Sequence, residues 1–103
     1  MEKLDSKLGI DLGGTKIEGL LTDKSGAHLK RIRVKTPYGS YKGILNAIAN
    51  LVSELATTSD LPVGIGIPGS ISPASGRVRN SNILALNIKL FSKDLEKTLG
   101  RLV

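Results

Sequence analysis

Eight residues near the start, Gly9-Ile10-Asp11-Leu12-Gly13-Gly14-Thr15-Lys16, constrain this chain more than any other stretch. Leu8, Ile10 and Leu12 alternate with Gly9 and Asp11, which predicts a strand over 8–12 with one buried face. Gly13-Gly14-Thr15 then turns tightly, because glycine adopts backbone angles closed to other residues. Residues 16–23 predict a second strand, 24–26 a second turn and 27–35 a third strand. Three short strands joined by tight turns make an antiparallel meander.

Beyond the meander the pattern changes period. Thr36-Pro37-Tyr38-Gly39 breaks it, since proline has no ladder donor. Ser40 is the expected N-cap of a helix running to about Thr57, with Ile44, Ile48, Leu51, Val52 and Leu55 on one stripe. Asp60-Leu61-Pro62 closes that connection, and residues 63–67 predict a short apolar strand. A loop rich in Gly, Ser and Pro follows over 68–76, then a short strand over 77–80 and a strand or irregular segment over 83–90. Ser92 is the expected cap of a last helix, with Leu95 and Leu99 inside and Gly100 at its end; Arg101-Leu102-Val103 reads as the start of a strand. The fold class is α/β: meander, helix, further strands, helix.

At 103 residues this is one domain or part of one. Only 3% of residues are aromatic, so the core rests on Leu, Ile, Val and Ala. There is no cysteine, which excludes disulfides, zinc ribbons and thiol nucleophiles and makes a cytoplasmic setting the expectation. No apolar run reaches the ~18 residues that span a bilayer, and Met1–Lys7 is no signal peptide. The net charge of +6 could attract phosphates or nucleic acid. Yet Tyr38, Tyr41 and Phe91 do not interleave with the basic run Lys30, Arg31, Arg33, Lys35, so that run reads as a solvated strand face. Neither nucleic acid nor membrane is an expected partner.

Two constellations carry chemistry. In the first, the glycine turn exposes backbone N–H groups and leaves room for phosphate oxygens; Thr15 adds a hydroxyl and Lys16 a cation. Asp11, opposite Leu12, is placed to hold Mg²⁺ through water. The spacing is not that of a P-loop, and no helix follows the glycines. An ordinary hairpin also uses paired glycines, and the short motif leaves that reading open. The second constellation runs from Gly64 through Pro68-Gly69-Ser70-Ile71-Ser72-Pro73 to Asn80-Ser81-Asn82. It gathers hydroxyl and amide groups on a loop at the end of a buried strand, a usual place for ligand loops. Alone it also fits a surface loop without a ligand.

In combination, the order strand, Asp-x-Gly-Gly-Thr hairpin, amphipathic helix and VGIGIPGSISPASGRVRNSN resembles the ROK family of sugar kinases and repressors, from about Leu8 to Val103. The second segment is most similar to the fructokinase/mannokinase and N-acetylglucosamine kinase branch. The resemblance implies an actin-like (ribonuclease-H-like) ATPase fold in which two domains close on ATP and sugar. It implies that Asp11, Gly13, Gly14, Thr15 and Lys16 meet the ATP phosphates and Mg²⁺. Gly69 and Ser70 match the loop that touches sugar hydroxyls, Asn82 a further sugar-side position, and Asn87 another polar position nearby.

By the same resemblance, residues 1–103 are the N-terminal subdomain of a hexose kinase of the fructose, glucose or mannose type. The family's general base, an Asp in an Asn-Asp-Ala segment, is expected beyond Val103. So are its His-Gly-Glu sugar clamp, its zinc motif, its second phosphate loop and its adenosine pocket; no catalytic residue or metal ligand set is expected here. His28, the one histidine, reads as a solvated surface residue. The chain alone is therefore expected to phosphorylate no sugar, since general-base catalysis typically contributes about 10²–10⁴-fold. Two other classes stay open: a sugar-responsive regulator, although only seven residues precede Leu8, and a non-catalytic remnant that associates as a homodimer or oligomer through uncovered apolar faces.

Overall fold

The computed structural model describes residues 6–56, 61–101 and 103. The opening meander forms as the alternation predicts, with β1 (Lys7–Leu12), β2 (Lys16–Thr22) and β3 (His28–Lys35) paired antiparallel. Register follows the apolar pattern. Leu8, Ile10 and Leu12 sit opposite Leu21, Gly19 and Ile17, and this set is buried. The alternate pairs, Gly9 with Leu20 and Asp11 with Glu18, therefore lie on the outer face.

The helix α1 (Tyr41–Leu55) covers the inner face, and β4 (Val63–Gly66) then returns parallel to β1, with Ile10 beside Ile65. The sheet order is β3-β2-β1-β4. The Ser40 side chain accepts from the Gly43 N–H at 2.9 Å, the capping bond its position predicts. All five stripe residues from Ile44 to Leu55 are buried, each contributing about 1.5–3 kcal/mol relative to an exposed side chain. Gly19 lets the helix sit this close: a Cβ there would collide with Leu55 Cδ1 and lie 3.2 Å from Ile10 Cδ1.

The second half is more irregular than expected. Ser70 and Ile71, read as loop, form β5 and pair antiparallel with β6 (Val78–Arg79). The segment over 83–90 is irregular, built around a 3-10 turn at Leu84–Leu86. α2 (Phe91–Leu99) begins two residues earlier than a Ser92 cap would place it, with Leu90 as N-cap and no side-chain capping bond. Burial of Phe91 sets that start: its ring is 2% exposed and meets Tyr41 edge to face at 6.5 Å. Gly100 ends the helix in the left-handed region, φ 70°, as expected.

No strand begins at Arg101; it lies in a bend with Nη1 on the Leu61 carbonyl at 2.9 Å, and the Val103 N–H donates to Glu96. Thr57, Asp60 and Leu102, where the expected helix end, connection and last strand fall, lie outside the described residues. Val78, Ile83, Leu86, Phe91 and Leu95 join the sheet and α1 in one core cluster. Among the described residues no helix is long and apolar enough to cross a membrane.

Candidate functional site

The glycine turn is built by its neighbours. Gly13 N–H donates to the Lys16 carbonyl at 3.0 Å, closing the β1–β2 hairpin. Thr36, just after β3, is 3% exposed and fastens the same turn twice: its Oγ1 donates to the Gly13 carbonyl at 2.7 Å, and its N–H to the Thr15 carbonyl at 2.9 Å. Those carbonyls are thus turned inward, while Thr15 and Lys16 remain exposed. Asp11 is exposed on the outer face as the alternation predicts, and a Cβ on neighbouring Gly66 would stand 3.8 Å from its Oδ1.

The second constellation folds beside the first. Gly69 has φ 100°, and a Cβ there would lie 2.6 Å from the Arg79 carbonyl oxygen and 3.0 Å from Ser81 Cα, so only glycine fits. Ser70 pairs with Arg79 across β5–β6, which sets Gly69 and Ser70 alongside the chain leading to Asn82. The Asn87 carboxamide braces this chain from behind. Its Oδ1 accepts from the Ser81 N–H at 3.0 Å and its Nδ2 donates to the Ser81 carbonyl at 3.1 Å. The Ser81 hydroxyl accepts from the Ile83 N–H at 3.1 Å.

The two segments, far apart in sequence, converge. A Cβ placed on Gly14 would be 4.0 Å from Asn82 Nδ2 and 4.0 Å from Tyr38 Cε2, and the Tyr38 hydroxyl donates to the Asn82 main-chain carbonyl. Gly14 of the first segment and Asn82 of the second are thus brought together, with Tyr38 between them. Sequence reasoning read the Tyr38 segment only as a strand break, and nothing in its composition marks it as a bridge. The Asn80-Ser81-Asn82 cluster did carry a signal; what it hides is that Asn87 is engaged by main chain.

A groove of about 390 Å³ lined by Thr15, Lys16, Arg33, Val34 and Lys35 opens along β2–β3. It includes the cationic end of the turn but none of the candidate sugar residues, so it is not the place where the two segments meet. Arg33 there shares Glu18 with Arg31, at 3.6 and 2.8 Å. Among the described residues no group of three or more His, Asp or Glu is placed to hold a metal ion. The Gly13 N–H is taken up by the hairpin, but an exposed carboxylate beside a glycine turn, a hydroxyl and a lysine does fit a phosphate chain with Mg²⁺, which takes one or two carboxylates and completes its shell with water and phosphate oxygens.

The model of the "ROK family" matches residues 7–103. The chain is 39% identical over 97 residues to the N-acetyl-D-glucosamine kinase of Pasteurella multocida (strain Pm70), covering 92% of this chain and 32% of that protein. It superposes with a TM-score of 0.81 and 28% identity on a ROK family glucokinase from Streptomyces griseus in complex with glucose and AMPPNP, over 95% of this chain and 31% of that one. An inorganic polyphosphate/ATP-glucomannokinase from Arthrobacter sp. strain KM gives 0.78 and 36% identity, over 95% and 42%. The chain spans about a third of the length of the curated relatives it matches. The meander, covering helix and parallel return strand are the α/β arrangement with which the actin-like ATPase fold of these kinases opens. A family model that fits from Lys7 to Val103 leaves one conclusion: the chain belongs to the ROK family.

Proposed function

We propose that this chain supplies the phosphate turn and the sugar loop of an ATP-dependent hexose kinase. One observation carries the reading: Gly14 of the turn and Asn82 of the loop lie against each other, as transfer from a triphosphate to a sugar hydroxyl requires. The amides of the turn, the Thr15 hydroxyl and the Lys16 ammonium would hold ATP phosphates, and Asp11 would hold Mg²⁺ through water. Such an ion neutralises phosphate charge. Gly69 lets main chain approach the sugar, and Ser70 and Asn82 would hydrogen-bond its hydroxyls. Fixing both reactants at bonding distance is the larger part of phosphoryl-transfer catalysis. The identity to the Pasteurella enzyme puts N-acetylglucosamine first among candidate hexoses, ahead of glucose, mannose and fructose.

The 103-residue chain alone is not expected to perform the reaction. Among the described acidic side chains, Glu18 holds Arg31 and Arg33, Asp23 holds its own turn, Glu54 is exposed in the last turn of α1, Asp94 accepts from Tyr41 at 2.6 Å and Glu96 accepts from Val103. Asp11 is the carboxylate at the site, and it serves the phosphates. None of these is placed as the base that takes the sugar proton.

The test is in two steps on the purified chain. Mg·ATP should shift the amide resonances of Gly13–Lys16, and each hexose in turn should leave ADP release at the no-sugar level. Turn resonances indifferent to Mg·ATP would sink the phosphate assignment. Sugar-dependent ADP release that disappears in Asp11→Ala would mean that the chain holds its own base.

A further inference from the structure

We infer that Tyr38 is a positioning residue that fixes the sugar loop at a set distance from the phosphate turn. The inference rests on the kinase reading above and adds a residue to it. Segment 36–38 is anchored at one end to the turn through both Thr36 bonds, to the Gly13 and Thr15 carbonyls. The Tyr38 N–H donates back to the Thr36 carbonyl at 2.9 Å, an i to i−2 bond that folds the strap tightly. At the other end the phenol hydroxyl donates to the Asn82 carbonyl. The Tyr38 ring and the Asn82 carboxamide stand equally near Gly14, each 4.0 Å from its Cβ position.

The chemistry follows from which Asn82 group is used. Tyr38 binds the main-chain oxygen, so the carboxamide of Asn82 stays available to a ligand while its peptide plane is held. Asn87 fixes the preceding residue from the opposite side through Ser81. With both flanking peptides held, the Cα–Cβ direction of Asn82 is set, and its carboxamide reaches the space beside Gly14. The strap bonds the turn through the Gly13 and Thr15 carbonyls and lays the Tyr38 ring near Gly14, and removing the hydroxyl alone leaves both of these contacts in place. Losing the phenol hydroxyl should therefore loosen the sugar side alone. Tyr38 is 46% exposed, so its hydroxyl adds little to the core.

Tyr38→Phe keeps the ring and removes the bond. On the purified chain, hydrogen exchange at the Asn82 and Ile83 amides should speed up while β1, β2 and α1 keep their protection. Hexose affinity, read from the Asn82 side-chain amide resonances, should weaken roughly three- to tenfold, the worth of one net hydrogen bond. Mg·ATP affinity, read from Gly13 and Gly14, should stay within twofold. A merely structural role would weaken both ligands together, and that outcome overturns the inference. So does unchanged exchange at 82–83, whether or not any hexose binds. A wild-type chain whose Asn82 ignores all four hexoses, but whose exchange responds to Tyr38→Phe, would refute the sugar assignment while leaving the strap in place.

Discussion

Gly69 and Gly9 show how differently two glycines of one chain are constrained. At Gly69 an added Cβ meets the Arg79 carbonyl at 2.6 Å, with φ at 100°; at Gly9 nothing lies within 4 Å. Gly69→Ala should therefore cost about 1–3 kcal/mol, the scale of a residue forced into a sparsely populated region. Gly9→Ala should change stability by less than about 0.5 kcal/mol. Urea unfolding of the two variants checks this, and equal losses would mean that the loop gives way around residue 69. Asn87 offers a sharper contrast. Asn87→Asp keeps the acceptor that takes the Ser81 N–H but sets a second oxygen against the Ser81 carbonyl. The expected loss is about 1–3 kcal/mol, since a partly buried pair is broken on one side. An Asp variant as stable as the parent would show that Ser81 is held by its own hydroxyl bond to Ile83.

At the scale of elements, the cap of α1 is a separable contribution. Ser40→Ala removes the acceptor for the Gly43 N–H and should lower stability by about 1 kcal/mol, read again in urea. The β2–β3 turn answers to pH instead. Asp23 Oδ1 accepts from the Ser25 hydroxyl at 2.6 Å and N–H at 2.9 Å, and from the Ala27 N–H at 3.0 Å. These bonds, the Ser25 hydroxyl foremost, hold its carboxyl below the ordinary 3.8. A lowered carboxyl pKa stabilises the fold above the unfolded value and loses that effect as pH falls through the folded one. The Ser25 and Ala27 amides should thus titrate with a midpoint below 3.8; a midpoint at or above it would mean that the turn bonds are not formed in solution. Elements this well defined were legible in the sequence: the meander through strict alternation, α1 through its stripe and its serine cap. β6 falls inside the short strand read over 77–80, whereas β5 was not legible, because a two-residue strand within a Gly, Ser and Pro loop is too short to show a period. The start of α2 misled because a serine cap is worth about 1 kcal/mol, whereas burying the phenylalanine before it is worth about 1.5–3. The candidate site divided the same way: glycines and polar residues marked both candidate segments, but the tyrosine that joins them sits in a stretch readable only as a break.

For the whole molecule, the open question is what the sheet does with its two edges. A Cα radius of gyration of 13.5 Å matches the ~13 Å expected of an independent domain of this length, so the segment packs as a unit although it spans a third of its relatives. The β3 edge is guarded by Lys30, Arg31, Arg33 and Lys35, the kind of charge that prevents strand addition. β4 has no such guard: Val63-Gly64-Ile65-Gly66 is short and uncharged, and among the described residues only β1 pairs with it. Self-association is therefore expected through β4, with two copies meeting edge to edge at tens of micromolar. Gly64 is the place to test it. It alternates with Val63 and Ile65, is exposed, and a Cβ there comes no nearer than 3.9 Å to the Leu8 carbonyl oxygen, so Gly64→Lys adds charge to the edge without disturbing the core. In sedimentation velocity the parent chain should run as a dimer or larger and the variant as a monomer. Monomers in both would show that the β4 edge is unused. Dimers in both would move the contact to the exposed side chains of Leu84 and Ile88, 71% and 70% accessible in the segment that follows Asn82, because the edge would by then carry the same protection as β3.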